Sequence, residues 1–204
     1  MIVVRQTIPT PDPDMGEVFR YMGVKGEPDE GTIKLANEAV EKIKSSAVCR
    51  VCYSRIPIER PEKSTIVIGK IRTESVCLEK NLKGCGEVYL FFATIGSAAD
   101  RLIAASRITP SKALALDAAA SALTEAVCNK LNGQLKGEAL KEGKFLRPRY
   151  SAGFGDFTLV YQKCFVDMLD TSKNIGVVLR NETMLFPTKS VSALIGISDV
   201  ERKL

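Results

Sequence analysis

The sequence VYLFFAT, residues 88–94, decides the fold class of this chain. An almost entirely apolar run of this length is typical of a strand that lies in the middle of a sheet and is buried on both faces. Gly96 and Ser97 follow it and predict a turn into a helix at about residues 98–106. Near the end of the chain, SVSALIGIS (190–198) alternates apolar and small residues, which predicts another strand.

Periodicity and turn residues predict the remaining elements. Further strands are expected at residues 1–8, 48–58, 64–71, 174–179 and 184–186. Further helices are expected at 15–22 with Asp14 as N-cap, at 32–45, at 76–84, from Thr109 as N-cap to about Leu131 with NGQLKG (132–137) as its end, and at 157–169 with Asp156 as N-cap. Because these elements lack regular βαβ spacing, we expect an α+β fold with a largely antiparallel sheet flanked by helices, in one domain over residues 1–204.

The longest predicted helix carries a narrow polar stripe. Between residues 113 and 128 its only charges are Asp117 and Glu125, about 80° apart around the axis, with Ser121 between them. Such a stripe is either a solvated face of the helix or one wall of a ligand pocket. The sequence leaves both interpretations open.

Composition excludes several classes of function. The chain has 204 residues, 45% hydrophobic and 26% charged, as in an ordinary soluble globular protein. Its net charge of +5 is too mild to call for a nucleic-acid partner. The absence of His excludes a His-based catalytic triad and a His-ligated zinc site. No signal peptide or apolar run long enough to span a membrane is visible, so we expect a cytoplasmic protein with no membrane partner.

Six cysteines raise the question of a metal site. Cys49 and Cys52 form a CxxC pair, and Cys77 and Cys85 follow, so four thiols could in principle hold zinc or a cluster. In a strand, however, Cys49 and Cys52 would point to opposite faces. Free, reduced thiols are therefore the favoured interpretation.

The loop region FLRPRYSAGFGDFTLVYQ (145–162) is the candidate functional segment. It is either a plain connection between two elements or a ligand-binding loop. The second interpretation rests on Gly153 and Gly155, which allow the backbone to approach a ligand closely and which flank an aromatic residue, Phe154. Arg149 could pair with a carboxylate, and Tyr150 or Phe154 could stack on a base or contact a cation. With the acidic stripe nearby, these groups suit a ligand such as S-adenosylmethionine, although other amino-acid-like ligands also fit.

Two other motifs fail on inspection. PTKS (187–190) ends like a phosphate-binding loop but lacks the upstream glycines, and GFG (153–155) lacks the third glycine of a dinucleotide fingerprint. Basic residues with interleaved aromatics occur only at FLRPRY (145–150), which is thin support for nucleic-acid binding.

Several ordered segments resemble the activation domain of cobalamin-dependent methionine synthase, in a short free-standing form. The segments are EVFRYMG (17–23), LEKNLKGCGEVYLFFATIGSAADRLI (78–103), DAAASALTEA (117–126), RYSAGFGD (149–156) and FPTKSVSALIGIS (186–198). RYSAGFGD is the most specific of them, because it is similar to the family's Arg-x-x-x-Gly-Tyr signature.

The resemblance implies S-adenosylmethionine binding and a role in methionine biosynthesis. Domains of this family support reductive methylation of the oxidised cobalamin of methionine synthase, a methyltransferase, with an electron donor that is often a flavodoxin. The cobalamin would be carried by the cobalamin-binding module of a partner. The ligand-binding residues that the resemblance implies are Glu125, Arg149, Tyr150, Ser151, Ala152, Gly153 and Phe154. Among them, Arg149 would lie near the ligand carboxylate, and Phe154 stands where the signature has Tyr.

The resemblance also shapes expectations about how the chain works. Full-length synthases continue past the closing strand into a tyrosine-bearing segment that contacts the ligand, whereas this chain stops at Leu204. We therefore expect its affinity for S-adenosylmethionine to be weak or dependent on a partner. Because the chain also lacks the cobalamin, folate and homocysteine modules of the synthase, the resemblance implies an accessory subunit that acts in trans on another polypeptide. The alternative is a non-catalytic docking module for a corrinoid protein that no longer binds S-adenosylmethionine.

Overall fold

Strand β5 (Cys85–Thr94) lies in the middle of the main sheet. In this computed structural model, which describes residues 1–201, β5 pairs antiparallel with β2 (Arg50–Glu59) on one side and with β9 (Ser190–Ser198) on the other. The prediction of a central strand at residues 88–94 is confirmed, and so are the bounds predicted for the last strand. The expectation drawn from the end of the chain at Leu204 lies outside the described residues.

The sheet has seven strands, and every neighbouring pair is antiparallel. Its order is β4–β3–β2–β5–β9–β6, with β1 also paired to β2, and β7 and β8 form a separate hairpin. The other strands are β1 (Val4–Thr7), β3 (Ile66–Ile68), β4 (Ile71–Thr73), β6 (Phe145–Leu146), β7 (Val178–Arg180) and β8 (Met184–Phe186). This is the α+β fold with an antiparallel sheet that the sequence predicts.

Seven helices accompany the strands within residues 1–201. They are α1 (Met15–Tyr21), α2 (Glu30–Ser46), α3 (Val76–Asn81), α4 (Ala98–Ala105), α5 (Pro110–Lys141), α6 (Tyr161–Leu169) and α7 (Thr171–Ile175). The predicted N-cap of α1 is confirmed, because the Asp14 carboxylate accepts from the Glu17 N–H at 2.9 Å. None of the helices in the described part of the chain combines the length and apolar character that a membrane span requires.

The sheet separates two apolar cores. Phe91 and Ala93 of β5 face the core beneath α2 and α5, whereas Leu90 and Phe92 face the core that contains residues of α3 and α6. The alternation of side chains along a strand produces this division. Cys49 lies in the first core and Cys52 in the second, so the prediction that they point to opposite faces is confirmed. No three His, Cys, Asp or Glu residues within residues 1–201 form a group suited to a metal ion.

Helix α5 extends ten residues beyond its predicted end at Leu131. The two glycines of NGQLKG lie inside the helix, and Leu135 and Ala139 are buried against the sheet. A helical glycine costs about 1 kcal/mol relative to alanine, while burying a leucine side chain contributes about 1.5–3 kcal/mol. Packing on the sheet therefore overrides the local stop signal. At the other end, Thr109 is the N-cap residue of α5, as predicted, although its side chain makes no capping hydrogen bond.

The helix predicted from residue 157 begins only at Tyr161, and Asp156 does not cap it. The Asp156 carboxylate instead accepts hydrogen bonds from the Ser75 hydroxyl, from the Val76 N–H (2.7 Å) and from the Cys77 N–H (3.2 Å). It therefore supplements the cap of α3, a helix eighty residues earlier in the chain. Phe157 is fully buried and its C=O accepts from Gly153, which keeps the segment before α6 out of the helix.

Two smaller predictions are also corrected. The strand predicted at 64–71 is a hairpin, β3 and β4, because Gly69 adopts a positive φ of 56° in the two-residue turn between them. The strand predicted at 174–179 begins at Val178. Asn174 belongs to α7, which Gly176 ends at a φ of 75°.

The extension of α5 predicts the effect of a matched pair of substitutions. We expect Leu135→Ala to lower the free energy of unfolding by about 2–5 kcal/mol, because it removes a fully buried side chain from the first core. Leu140→Ala, at a half-exposed position of the same helix, should change it by less than about 0.5 kcal/mol. Urea denaturation measures both. Equal effects would show that the extension of α5 does not pack as described.

The capping role of Asp156 predicts a pH dependence of stability. Hydrogen bonds, first from Ser75 and then from the Val76 and Cys77 N–H groups, hold the pKa of Asp156 below its ordinary value of 3.8. A carboxyl whose pKa is lower in the folded state stabilises the fold above its unfolded pKa, and this stabilisation is lost as the pH falls through the folded pKa. We therefore expect Asp156→Ala to lower the melting temperature at pH 7.

The same substitution should remove part of the loss of stability that the native chain shows below about pH 4. Asp167→Ala serves as the control. The side chain of Asp167 is exposed on α6 and makes no hydrogen bond or ion pair within residues 1–201. Identical melting curves for Asp156→Ala and Asp167→Ala across this pH range would contradict the capping role.

Candidate ligand-binding site

The segment that follows β6 is attached to the outer edge of β9 by backbone hydrogen bonds. The Arg147 N–H donates to the Gly196 C=O at 2.8 Å, and Tyr150 exchanges two hydrogen bonds with Leu194 at 2.9 and 2.8 Å. Beyond Tyr150 the chain leaves the strand. These bonds place Arg149 at the edge of the sheet, next to α5.

A cavity of about 330 Å³ lies between this segment, α5 and β9. Its lining residues are Glu125, Arg149, Tyr150, Ser151, Phe154, Val191 and Ala193. Five of the seven residues implied by the resemblance thus lie together around one space. Ala152 and Gly153 are the two that do not line it. Ala152 is buried in the second core, and the Gly153 N–H donates to the Phe157 C=O at 2.7 Å. Both residues therefore stabilise the conformation of the loop without lining the cavity.

Arg149 forms an ion pair across the cavity wall. Its Nη2 donates to the carboxylate of Glu125 at 3.1 Å and to the side-chain oxygen of Asn129 at 3.0 Å. Its Nη1 is buried and has no hydrogen-bond partner within residues 1–201. Since a buried donor without an acceptor is destabilising, Nη1 is a group that a bound acceptor would satisfy. Glu125 thus borders the Arg149 loop and lines the cavity, while a ligand-binding role of the stripe on α5 stays a prediction.

A second cavity of about 220 Å³ continues along α5. It is lined by Tyr21, Ser121, Thr124, Glu125, Thr188, Lys189, Ser190 and Val191. Glu125 and Val191 line both cavities, so the two form one groove between α5 and β9, which we call the α5–β9 groove. At its far end, the Lys189 ammonium lies 2.9 Å from the Asp117 carboxylate and 2.9 Å from the Ser121 hydroxyl.

Lys189 and Asn129 are site residues that the resemblance did not imply. Asn129 lies one turn after Glu125 on α5, so the spacing of four residues was the signal that could have found it. Lys189 belongs to the PTKS segment (187–190), which does not match a phosphate-binding loop. Nothing else in the sequence indicates that Lys189 lies beside the polar stripe of α5. Its contact with Asp117 joins residues 72 positions apart in sequence.

Aromatic side chains form the outer wall of the first cavity. The Tyr150 hydroxyl donates to the Phe154 C=O at 3.1 Å, and the two ring centroids lie 6.4 Å apart. Burial raises the pKa of Tyr150 above its ordinary value, so the phenol stays neutral. Phe154 is 64% exposed and presents an uncovered ring. The hydroxyl of Tyr150 is therefore committed to the loop itself, while the ring of Phe154 is free to contact a ligand.

The groove combines paired charges, an uncovered ring and apolar side chains from β9. Two of its carboxylates are held by cations, Glu125 by Arg149 and Asp117 by Lys189. This arrangement suits recognition of a zwitterion that also carries a flat group. Because these charged groups are already paired with one another, their positions are fixed before a ligand binds. The groove can therefore hold a ligand in a defined orientation.

No protein-family model matches the sequence, and no curated protein is significantly similar to it. The fold, however, is similar to a solved structure, the MetH reactivation domain bound to AdoHcy. The TM-score is 0.75 over 100% of this chain and 81% of that chain, at 17% sequence identity. The two chains share one fold. At this identity the likeness shows the fold alone, and it agrees with the α+β architecture that the sequence predicts.

The loop geometry predicts opposite effects of alanine at two glycines. Gly153 has a φ of 96°, and a Cβ there would lie 2.9 Å from Leu159, so we expect Gly153→Ala to destabilise the chain by about 1–3 kcal/mol. Gly137, exposed within α5, has nothing within 4 Å of such a Cβ, and Gly137→Ala should stabilise the chain by about 0.5–1 kcal/mol. Urea denaturation distinguishes the two. A Gly153→Ala chain as stable as the native one would show that the loop does not need this backbone conformation.

Proposed function

We propose that the α5–β9 groove binds S-adenosylmethionine, and that the chain is a reactivation subunit for cobalamin-dependent methionine synthase that acts in trans. The observation that carries the proposal is the likeness of the whole chain to a reactivation domain bound to AdoHcy, a demethylated form of this ligand. The groove supports it, because the RYSAGFGD segment and Glu125 meet around a single cavity.

The charges of the groove match the charges of the proposed ligand. S-adenosylmethionine has a carboxylate, an ammonium group, a sulfonium centre and a flat base. The unpartnered Nη1 of Arg149 would donate to the carboxylate, and Glu125 would attract the cationic centres. The exposed ring of Phe154 would cover the sulfonium or the base.

The chemistry asked of this chain is positioning. The cobalamin-binding module of a partner protein would carry the cobalamin, which would act as the nucleophile toward the methyl group. A flavodoxin-like donor would supply the electron that reduces the oxidised cobalamin. The methyl group would pass from the sulfonium to the reduced cobalamin of the partner, which would break the sulfur–methyl bond and leave S-adenosylhomocysteine, a neutral thioether. Because a sulfonium is a good leaving group, the step needs no general acid or base from this chain. The residues of the groove would hold the donor with its methyl group directed outward.

Substitution of Arg149 tests the binding proposal. We expect Arg149→Ala to weaken S-adenosylmethionine binding by about 10- to 100-fold, the loss of a charged hydrogen bond in a partly buried site. Arg149→Lys, which keeps the positive charge beside Glu125 but lacks the fork of donors, should also weaken binding. Isothermal titration calorimetry measures both. The control is Arg101→Ala, since Arg101 is exposed on α4 and lines neither half of the groove.

A reactivation assay tests the functional proposal. A cobalamin-dependent methionine synthase that lacks its own activation module, with its cobalamin oxidised, is supplied with a reductant and S-adenosylmethionine. Recovery of activity should depend on this chain and be reduced by Arg149→Ala. Absence of S-adenosylmethionine binding, alone and with the synthase, would overturn the proposal. Binding to the synthase without any binding of S-adenosylmethionine would instead indicate a docking module.

A further inference from the structure

A separate cavity of about 270 Å³ lies where β5 ends and α4 begins. Its walls come from the end of α2, the start of β2, the turn into α4, the end of α7 and the segment before β9. The lining contains two arginines, Arg50 and Arg101, and no acidic residue. None of its lining residues lines the α5–β9 groove, so this is a different site.

The two arginines reach the cavity from different elements. Arg50 begins β2 and lies opposite Thr94 of β5, next to the turn that leads into α4. Its Nη1 donates to the Ile175 C=O at 3.4 Å, at the end of α7. Arg101 lies in the first half of α4, and its Nη1 donates to the Ser97 hydroxyl at 2.9 Å. Each guanidinium group is therefore held by one nitrogen on a neutral oxygen.

The positive charges of this cavity are not compensated within residues 1–201. Neither Arg50 nor Arg101 forms an ion pair there, and their other guanidinium N–H groups have no acceptor. The carboxylate of Asp100, on the same helix as Arg101, instead accepts from the N–H of Thr188 at 3.1 Å and from its hydroxyl. Because a guanidinium is always charged and carries five donors, the cavity offers most of its hydrogen-bonding capacity to an anion.

The start of α4 adds donors to the site that the arginines define. Ser97 is the N-cap residue, but its side chain makes no capping hydrogen bond, since the hydroxyl accepts from Arg101. The N–H groups of Ser97 and Ala98, which both line the cavity, have no acceptor within residues 1–201. The first N–H groups of a helix carry a partial positive charge, so they add to the attraction for an anion.

We propose that this cavity binds the phosphate group of a small phosphomonoester. Such a group carries a charge of about −1.5 to −2 at pH 7, which matches two guanidinium groups, whereas one carboxylate would leave one of them uncompensated. The planar fork of each arginine suits two phosphate oxygens at once. The cavity has several times the space of one water molecule, about 30 Å³, and Val48 and Pro187 add apolar wall. There is therefore room for an organic group beside the phosphate.

Titration of the native chain with three anions tests the proposal. The probes are glycerol 3-phosphate, inorganic phosphate and acetate, compared by isothermal titration calorimetry at low ionic strength. We expect glycerol 3-phosphate to bind at least about tenfold more tightly than acetate, because only the phosphate matches both arginines. The comparison with inorganic phosphate distinguishes an ester from free phosphate, and the ester should bind more tightly.

Substitution of the arginines tests the residues themselves. We expect Arg50→Ala and Arg101→Ala each to weaken binding of glycerol 3-phosphate by at least about tenfold, the loss of charged hydrogen bonds. Arg101→Lys keeps the charge but lacks the fork of donors, so it should also weaken binding. Arg107→Ala is the matched control. Arg107 is exposed just after α4 and does not line the cavity, so its removal should change the affinity by less than about twofold.

The outcomes decide the proposal without reference to S-adenosylmethionine. If neither phosphate probe binds the native chain more tightly than acetate, or if the folded alanine variants of Arg50 and Arg101 bind as tightly as Arg107→Ala, the phosphate site is wrong. If inorganic phosphate binds as tightly as glycerol 3-phosphate, the assignment to an ester is wrong. If circular dichroism shows that Arg50→Ala does not fold, Arg101→Ala decides. Since neither arginine lines the α5–β9 groove, failure here leaves the proposed function standing.

Discussion

The hydrogen bonds between β9 and the segment after β6 are the interaction on which the candidate site depends. They fix Tyr150 opposite Leu194, and the residue before it, Arg149, is thereby held against α5. Asp156 anchors the far end of the same segment to the start of α3. Between these two attachments the loop is free to follow a path that neither a helix nor a strand allows. A glycine-rich segment becomes a defined wall of a cavity because its two ends are held by different parts of the fold.

Helix α5 connects the core to the groove. Its alanines let it lie close to the sheet, and its leucines fill the first core along most of its length. The polar side chains Asp117, Ser121, Glu125 and Asn129 leave that core at intervals of one turn and meet cations from two distant segments. Because the apolar face fixes the rotation of the helix about its axis, it also fixes the direction of the polar stripe. The stability of the core and the geometry of the groove therefore depend on the same packing.

The sequence predicts those features whose causes are local. The strands at 88–94 and 190–198 follow from their apolar patterns, and the N-cap at Asp14 follows from neighbouring residues. The extension of α5 could not be predicted, because its stop signal is local while the burial that overrides it involves the whole sheet. For the same reason the sequence assigns Asp156 to the nearest helix, although its partners lie eighty residues away. In the candidate site, composition identified the loop, but the pairing of Lys189 with Asp117 depends on the tertiary fold.

Glu125 lines both cavities of the groove, and this has a thermodynamic consequence. A group that binds in one cavity and draws the carboxylate toward itself changes the negative charge that the other cavity presents. Linkage requires the effect to be reciprocal, so each half of a bound molecule contributes to the affinity of the other half. The two ends of an extended ligand are then not independent anchors. Because one carboxylate serves both cavities, two cationic groups that compete for it contribute less to the affinity together than the sum of what each contributes alone.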